Sequence, residues 1–101
     1  MKLITWNNDK VLRLITYVLN NQNLDTKEMN KDLSLEFGGT QTAIAIARVS
    51  VMRCLQGFES SSEKGDKKGY TFGGTFKEVV NHWYNESYQG GLTRNQLSYK
   101  F

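Results

Sequence analysis

The sequence predicts a mostly α-helical protein with a three-helix, helix-turn-helix core followed by a C-terminal helix. Three observations indicate this fold class. Apolar residues recur at three- and four-residue spacings in several segments of the 101-residue chain. Two of the predicted helices are joined by a short turn that contains Gly38 and Gly39. The chain has no proline, so we expect Gly and polar caps to set the helix ends.

Helix 1 is predicted over about residues 8–20. Thr5 or Asn7 is the expected N-cap, and Trp6 is expected to fold back onto the first turn as a hydrophobic staple. The Asn and Gln side chains at 20–23 compete for the backbone and should end the helix. The apolar face consists of Val11, Leu12, Leu14, Ile15, Val18 and Leu19.

Helix 2 should begin at Asp25 or Thr26, where Asp25 and Glu28 have the spacing of a capping box. Apolar residues recur at every fourth position and form one narrow stripe. The turn at 38–39 should then end the helix in backbone conformations that glycine tolerates. The stripe consists of Met29, Leu33 and Phe37.

Helix 3 should be capped by Thr40 and continue to about Gln56. One side suits close packing on helices 1 and 2, and an adjacent side carries polar residues, while Ile46 and Val49 point elsewhere. A helix that is apolar on more than one side is either central in the fold or covered by the second half of the chain or by a partner. The packing side contains Ala43, Ile44, Ala47, Val51 and Cys54, and the adjacent side contains Gln41, Ala45, Arg48, Met52 and Gln56.

Residues 57–74 are rich in Gly, Ser and Lys, and two interpretations stay open for them. One is a β-hairpin over about 58–72, comparable to the wing of a winged helix, with a basic tip at 64–68. The other is a mobile loop, because no run of β-branched residues supports the first strand.

The remaining residues, 75–101, are predicted to form a fourth helix and a tail of the same single domain, which we take as 1–101. Thr75 and Glu78 have capping-box spacing, and Trp83 is expected to be a core residue that fastens helix 4 onto helices 1 and 3. Two interpretations stay open for the last ten residues: one turn from Thr93 followed by a docking tail, or a terminus that frays. The apolar face of helix 4 is Phe76, Val79, Val80, Trp83 and Tyr84.

The composition restricts the chemistry. A net charge of +3 and a pI of about 9.1 permit binding to nucleic acid without requiring it. Cys54 is the only cysteine, which excludes an internal disulfide and a multi-cysteine zinc site, and an inert buried thiol is expected. We find no nucleophile or acid/base pair that indicates an enzyme, and we expect no cofactor and no metal. No apolar run has membrane-spanning length, so a protein of the cytoplasm, nucleoid or nucleus is expected, not a secreted one.

Residues 6–55 resemble the helix-turn-helix domains of the Myb/SANT type and of the short bacterial GcrA-type regulators. The resemblance covers half the chain, and the later tryptophans of a Myb repeat are missing from helices 2 and 3. It implies that helix 3 lies in the major groove of DNA, with Gln41, Thr42, Ala45 and Arg48 facing the bases. The resemblance is based on Trp6, Leu33 and Phe37, and on the run from Gly39 to Ala43 that leads to Ile44, Ala47 and Arg48.

The leading functional hypothesis is therefore a small regulator of the phage or mobile-element kind that binds double-stranded DNA. Gln41 would pair with adenine and Arg48 with guanine. Phosphates would be neutralised by Lys64, Lys67, Lys68 and either Lys10 or Arg53. The alternative is a protein-binding module, such as a small inhibitor or adaptor, that uses the apolar residues of helix 3 to bind a larger partner or a second copy.

Overall fold

A computed structural model describes residue 4, residues 6–57 and residues 75–101 of the chain. These residues are mostly helical and contain no strand, which confirms the predicted fold class. The hairpin predicted at 58–72 lies outside the described residues. The helices are α1 (Asn8–Asn20), α2 (Thr26–Phe37), α3 (Gln41–Leu55), α4 (Thr75–Glu86) and α5 (Arg94–Ser98).

Polar side chains cap both ends of α1. The Asn7 side chain accepts a hydrogen bond from the backbone N–H of Lys10 at 2.9 Å, as an N-cap does. At the other end, Asn21 Nδ2 donates to the carbonyl of Tyr17 at 2.8 Å, and Gln22 Nε2 donates to the carbonyl of Val18 at 2.6 Å. The polar run at 20–23 therefore ends α1 by satisfying carbonyls that have no partner within the helix.

The predicted caps of α2 and α3 are present. Asp25 Oδ1 accepts from the N–H of Glu28 at 2.8 Å, and Thr40 Oγ1 accepts from the N–H of Ala43 at 3.1 Å. Each capped donor is one of the orphan amides at a helix start, and such a cap stabilises a helix by about 1 kcal/mol. The start of α3, which matters most for the proposed site, is therefore fixed by local sequence.

One core joins the helices, and α3 is central to it. α3 packs against α2, α4 and α5, while α4 also packs against α1. Central placement is one of the two arrangements that the apolar sides of α3 predict. The core consists of Val11, Leu14, Ile15 and Val18 of α1, Met29 and Leu33 of α2, Ile44, Ala47, Val51, Cys54 and Leu55 of α3, Phe76, Val79 and Val80 of α4, and Leu97 of α5.

The two tryptophans lie at the edge of the core. The aromatic neighbours of Trp6 are Phe37 of α2 and Phe76 of α4, at centroid distances of 5.6 and 5.1 Å, and the predicted staple on the first turn of α1 stays a prediction. Trp83 is only half-buried, at the edge of the core, with its ring 5.3 Å from that of Tyr88. Trp83 is therefore not the core residue that the sequence predicts: it packs against the core from its edge, while Phe76, Val79 and Val80 fill the interior.

The C-terminal residues dock onto the rest of the fold, which is the first of the two interpretations that the sequence left open. Thr93 caps α5 in a reciprocal capping box with Gln96, and Leu97 is 1% exposed in the core. Gln56 Nε2 also donates to the buried hydroxyl of Ser98 at 3.2 Å. None of the helices in the described part of the chain is long and apolar enough to cross a membrane.

Candidate nucleic-acid interface

The turn between α2 and α3 consists of only three residues, Gly38, Gly39 and Thr40. Gly38 has a φ of 77°, and the N–H groups of Gly38 and Gly39 both donate to the Ser34 carbonyl, at 2.9 and 3.1 Å. A Cβ on Gly39 would collide with the side chain of Ile4. The two glycines therefore serve different purposes, one supplying a left-handed backbone and the other a close approach to the N-terminal segment.

A groove of about 270 Å³ lies where the start of α3 meets α2. It is lined by Lys27, Glu28 and Lys31 of α2 and by Gln41 of α3, and all four side chains are exposed. The two ammonium groups outnumber the one carboxylate, and the first turn of α3 adds the positive end of its helix dipole. This arrangement suits contact with an anion such as a backbone phosphate, which binds readily at helix N-termini.

The N-terminal half of α3 brings together three of the residues predicted to face DNA. Gln41 and Thr42 are exposed, and Ala45, one turn later, is half-buried. Because residues three and four apart share a helix face, these side chains form one small patch. Gln41 lies on the edge of that patch nearest to α2 and its lysines.

Arg48 does not belong to this patch, which contradicts its predicted role in reading guanine. Its side chain is 5% exposed and lies between α2 and α3, where Nη1 donates to Asn30 Oδ1 at 3.3 Å. Its Nε is fully buried and has no hydrogen-bond partner. Burial lowers the pKa of the Arg48 guanidinium from its ordinary value. A side chain held in this way cannot reach a base edge unless it leaves the interior.

The remaining predicted contacts are separated from the patch or are not described. Arg53 is exposed in the last turn of α3, roughly 18 Å along the helix axis from Gln41. Lys10 is half-buried in the first turn of α1. Lys64, Lys67 and Lys68 lie outside the described residues. The helices therefore bring together Gln41, Thr42 and Ala45, but not Arg53.

Sequence reasoning missed Lys27 and Lys31. The signal was present, since these lysines are four residues apart and therefore share one face of α2, roughly opposite its apolar stripe. It also missed Asn30, which is 9% exposed and is the partner of Arg48. An Asn next to a lysine in a polar stretch gives no sign of burial, so only the crossing of the two helices reveals the pair.

The outward face of α3 is more apolar than is usual for a helix that lies in a DNA groove. Val49 is 38% exposed, and Ile46 and Met52 are half-buried. These side chains lie beside the polar patch at the start of the same helix. The surface around α3 therefore has a polar N-terminal part and an apolar middle.

Tyr84 of α4 and Tyr88, just after its end, line a second concave surface of about 370 Å³, and their hydroxyls are already bonded within the protein. The Tyr84 hydroxyl donates to the Leu92 carbonyl at 2.7 Å, and the Tyr88 hydroxyl accepts from the Leu92 N–H at 3.2 Å. The two tyrosine rings are stacked with centroids 5.3 Å apart. These contacts hold the chain that leads into α5, so the two tyrosines have a structural role within the protein.

Arg94 anchors α5 to the end of α3. Its guanidinium donates to the carbonyls of Cys54 and Leu55, at 2.9 and 3.2 Å, and to Asn81 Oδ1 at 2.6 Å. It also lies over the ring of Tyr84, 5.2 Å from the centroid. A cation at the C-terminus of α3 satisfies its last carbonyls and complements the helix dipole. Cys54 is buried as predicted, and this burial raises the pKa of its thiol to about 11.

A network of side chains links α1 to α2 on the surface. Arg13 Nε and Nη2 donate to the two carboxylate oxygens of Glu36, at 2.8 and 3.0 Å, and the Tyr17 hydroxyl donates to Asp32 Oδ2 at 2.5 Å. Burial and the hydrogen bond to Asp32 raise the pKa of Tyr17 to about 12. Hydrogen bonding to Arg13 lowers the pKa of Glu36.

Comparisons with known proteins give no family assignment. No protein-family model matches the chain, and searches of curated proteins and of solved structures found no significant match.

Proposed function

We propose that this protein binds double-stranded DNA through α2, the Gly38–Thr40 turn and α3, as a regulator of transcription of the small phage or mobile-element kind. In this arrangement the N-terminal half of α3 enters the major groove, where Gln41 and Thr42 meet base edges. A groove of B-DNA accommodates one helix, and an exposed amide pairs well with adenine.

The observation that carries the proposal is the groove that joins Lys27 and Lys31 to Gln41. A helix-turn-helix protein contacts bases with its second helix while the preceding helix and turn lie along the phosphates. Here the two lysines lie next to the polar start of α3, so cationic groups and readout groups fall on one side of the molecule. The net charge of +3 is compatible with a modest affinity that depends on salt.

A salt titration of the full chain with short random-sequence duplexes tests the proposal. The logarithm of the association constant should fall linearly with the logarithm of the salt concentration, with a slope of about −0.9 for each phosphate neutralised. A slope of about −2 or steeper would support the two-lysine contact. An absence of duplex binding at low salt, or a salt slope near zero, would contradict the proposal.

One observation favours a second candidate, a protein-binding module. Ile46, Val49 and Met52 leave apolar area on the middle of α3, and apolar area of this kind is characteristic of protein interfaces when it is continuous. Capture of partners from a native lysate, with and without nuclease, separates the two candidates. A partner retained after nuclease treatment supports the protein-binding module, whereas one lost with the nucleic acid supports DNA binding.

A further inference from the structure

The buried contact between Arg48 and Asn30 connects the two helices of the proposed site. Arg48 of α3 is 5% exposed and Asn30 of α2 is 9% exposed, and one hydrogen bond of 3.3 Å joins Nη1 to Oδ1. The Nε of Arg48 is buried and has no hydrogen-bond partner. One of the five N–H donors of the guanidinium, the one on Nε, is therefore buried without a hydrogen bond.

Stability alone does not explain this pair. Moving a charge out of water is costly, and a single neutral hydrogen bond offsets only part of that cost. Replacing a buried ionic group with an apolar one of similar volume is often neutral or stabilising in other proteins. An apolar contact, however, tolerates sliding and rotation, whereas an N–H···O bond requires a limited distance and angle.

Asn30 and Arg48 lie within the proposed DNA-binding site, so the directional hydrogen bond between them affects how the parts of that site are arranged. Asn30 lies between Lys27 and Lys31 in the sequence of α2, and Arg48 lies two turns beyond Gln41 on α3. Beside the short turn and the core contacts, the bond between Asn30 and Arg48 therefore adds a directional constraint on how far the two lysines lie from the exposed start of α3, and at what angle. Lysines that contact phosphate and a helix that contacts bases must match one DNA geometry together.

We propose that Arg48 and Asn30 are positioning residues that hold α2 and α3 in the single relative orientation needed for sequence-dependent DNA binding. The inference rests on the proposed function, because it assigns the pair a role in that same interface. Neither side chain touches DNA, and both act through the placement of Lys27, Lys31 and Gln41.

The test compares Asn30→Leu, combined with Arg48→Met, against Asn30→Asp alone. The double variant replaces the polar pair with apolar side chains, whereas Asp keeps an acceptor oxygen for the guanidinium. Three quantities are measured on the full chain: the melting temperature, the orientation of α2 relative to α3 from residual dipolar couplings, and the sequences enriched from a random duplex pool.

We expect the double variant to melt at or above the temperature of the parent, to show an altered helix orientation, and to lose about tenfold in enrichment of the preferred sequence. Asn30→Asp should keep both the orientation and the preference. The inference is overturned if the double variant folds with the parent's orientation and the parent's preference. It is also overturned if Asn30→Asp loses as much preference as the double variant.

Two further outcomes separate this inference from the proposed function. If the parent binds no duplex, the proposed function fails, while the dipolar couplings still show whether the pair sets the helix orientation. If the double variant does not fold, Arg48→Lys replaces it in the comparison, because it keeps the charge without the guanidinium fork. An altered helix orientation in Arg48→Lys then supports the inference, and the parent's orientation overturns it.

Discussion

The indole of Trp6 lies 5.1 Å from the ring of Phe76, between centroids, and thereby joins the segment before α1 to the first turn of α4. Phe37, the last residue of α2, meets the same indole edge-on at 5.6 Å. Three aromatic side chains from distant parts of the chain thus pack beside the α2–α3 turn. Aromatic pairs of this kind contribute about 0.5–1.5 kcal/mol beyond the area that they bury.

Phe76→Ala should destabilise the protein more than Trp83→Ala. Phe76 is 3% exposed and Trp83 is half-buried, so only the first change leaves a cavity inside the core. Phe→Ala at a buried position typically costs about 3–5 kcal/mol, which is a large share of the stability of a small domain. Urea unfolding followed by circular dichroism measures both free energies. Equal losses in the two variants would show that Trp83 has the anchoring role that the sequence predicts.

Arg94→Met should loosen the attachment of α5 to α3. The change keeps much of the aliphatic side chain but removes the donors to the carbonyls of Cys54 and Leu55 and to Asn81. Hydrogen bonds from a charged donor contribute about 1.5–3 kcal/mol, and we expect a loss of unfolding free energy in that range. Amide hydrogen exchange should increase first in the last turn of α3. Arg94→Lys, the matched control, should retain part of the stability because it keeps the charge at the helix C-terminus.

Tyr17 should titrate at about pH 12, above the ordinary value of 10.0 for tyrosine. The folded state favours the neutral hydroxyl, which donates to Asp32. The stability that this contributes is fully present below about pH 10 and is lost as the pH rises through about 12. Tyrosinate absorbance of the parent, after subtraction of the Tyr17→Phe titration, isolates this group. A difference curve centred near 10 would contradict the prediction.

Local sequence predicted the helix ends better than it predicted which side chains lie inside. Caps such as Asp25 and Thr40 act within three residues, so they can be recognised without knowledge of the fold. The sequence prediction placed Arg48 on the DNA-facing surface because its side chain is charged, although its helical spacing from buried residues indicates the core. It lies four residues after Ile44 and seven before Leu55, and both of these neighbours are buried. That spacing indicates the core, and an Arg there requires a partner such as Asn30, which only the packing of α2 on α3 reveals.

The groove of the proposed site could not be predicted for a related reason. Lys27, Lys31 and Gln41 come together because the three-residue turn determines how α2 and α3 meet. The sequence around each of these three residues indicates only an ordinary exposed polar side chain. The turn was predictable from its two glycines, but the crossing of the helices also depends on core contacts such as that of Ile44.

Replacing Lys27 and Lys31 together with Ala should weaken duplex binding at low salt and make it less sensitive to salt. Each lost phosphate contact lowers the magnitude of the salt slope by about 0.9, so the double change should lower it by about 2. The melting temperature should change little, since both side chains are exposed. Lys100→Ala, which removes an exposed lysine near the C-terminus, is the matched control and should leave the slope unchanged. If the two slopes fall equally, the groove is not the phosphate contact.

Changing Ile46 and Val49 together to Ser distinguishes the two proposed functions. Val49 is 38% exposed and Ile46 is half-buried, so the fold should survive with a modest loss of stability. Ile44→Ser, at a position that is 0% exposed, should instead unfold the protein.

A DNA-binding protein that reads bases with Gln41 and Thr42 should keep most of its duplex affinity after the change at Ile46 and Val49, because neither side chain provides a charge or a hydrogen bond. A protein-binding module should instead lose its partner or its dimer, because truncation of an apolar anchor at the centre of an interface commonly costs 2 kcal/mol or more, or roughly thirtyfold in affinity. Fluorescence anisotropy with duplex and light scattering after size-exclusion chromatography measure these two properties on the same sample. Loss of duplex binding with an unchanged melting temperature would mean that the apolar middle of α3, and not its polar start, contacts the DNA.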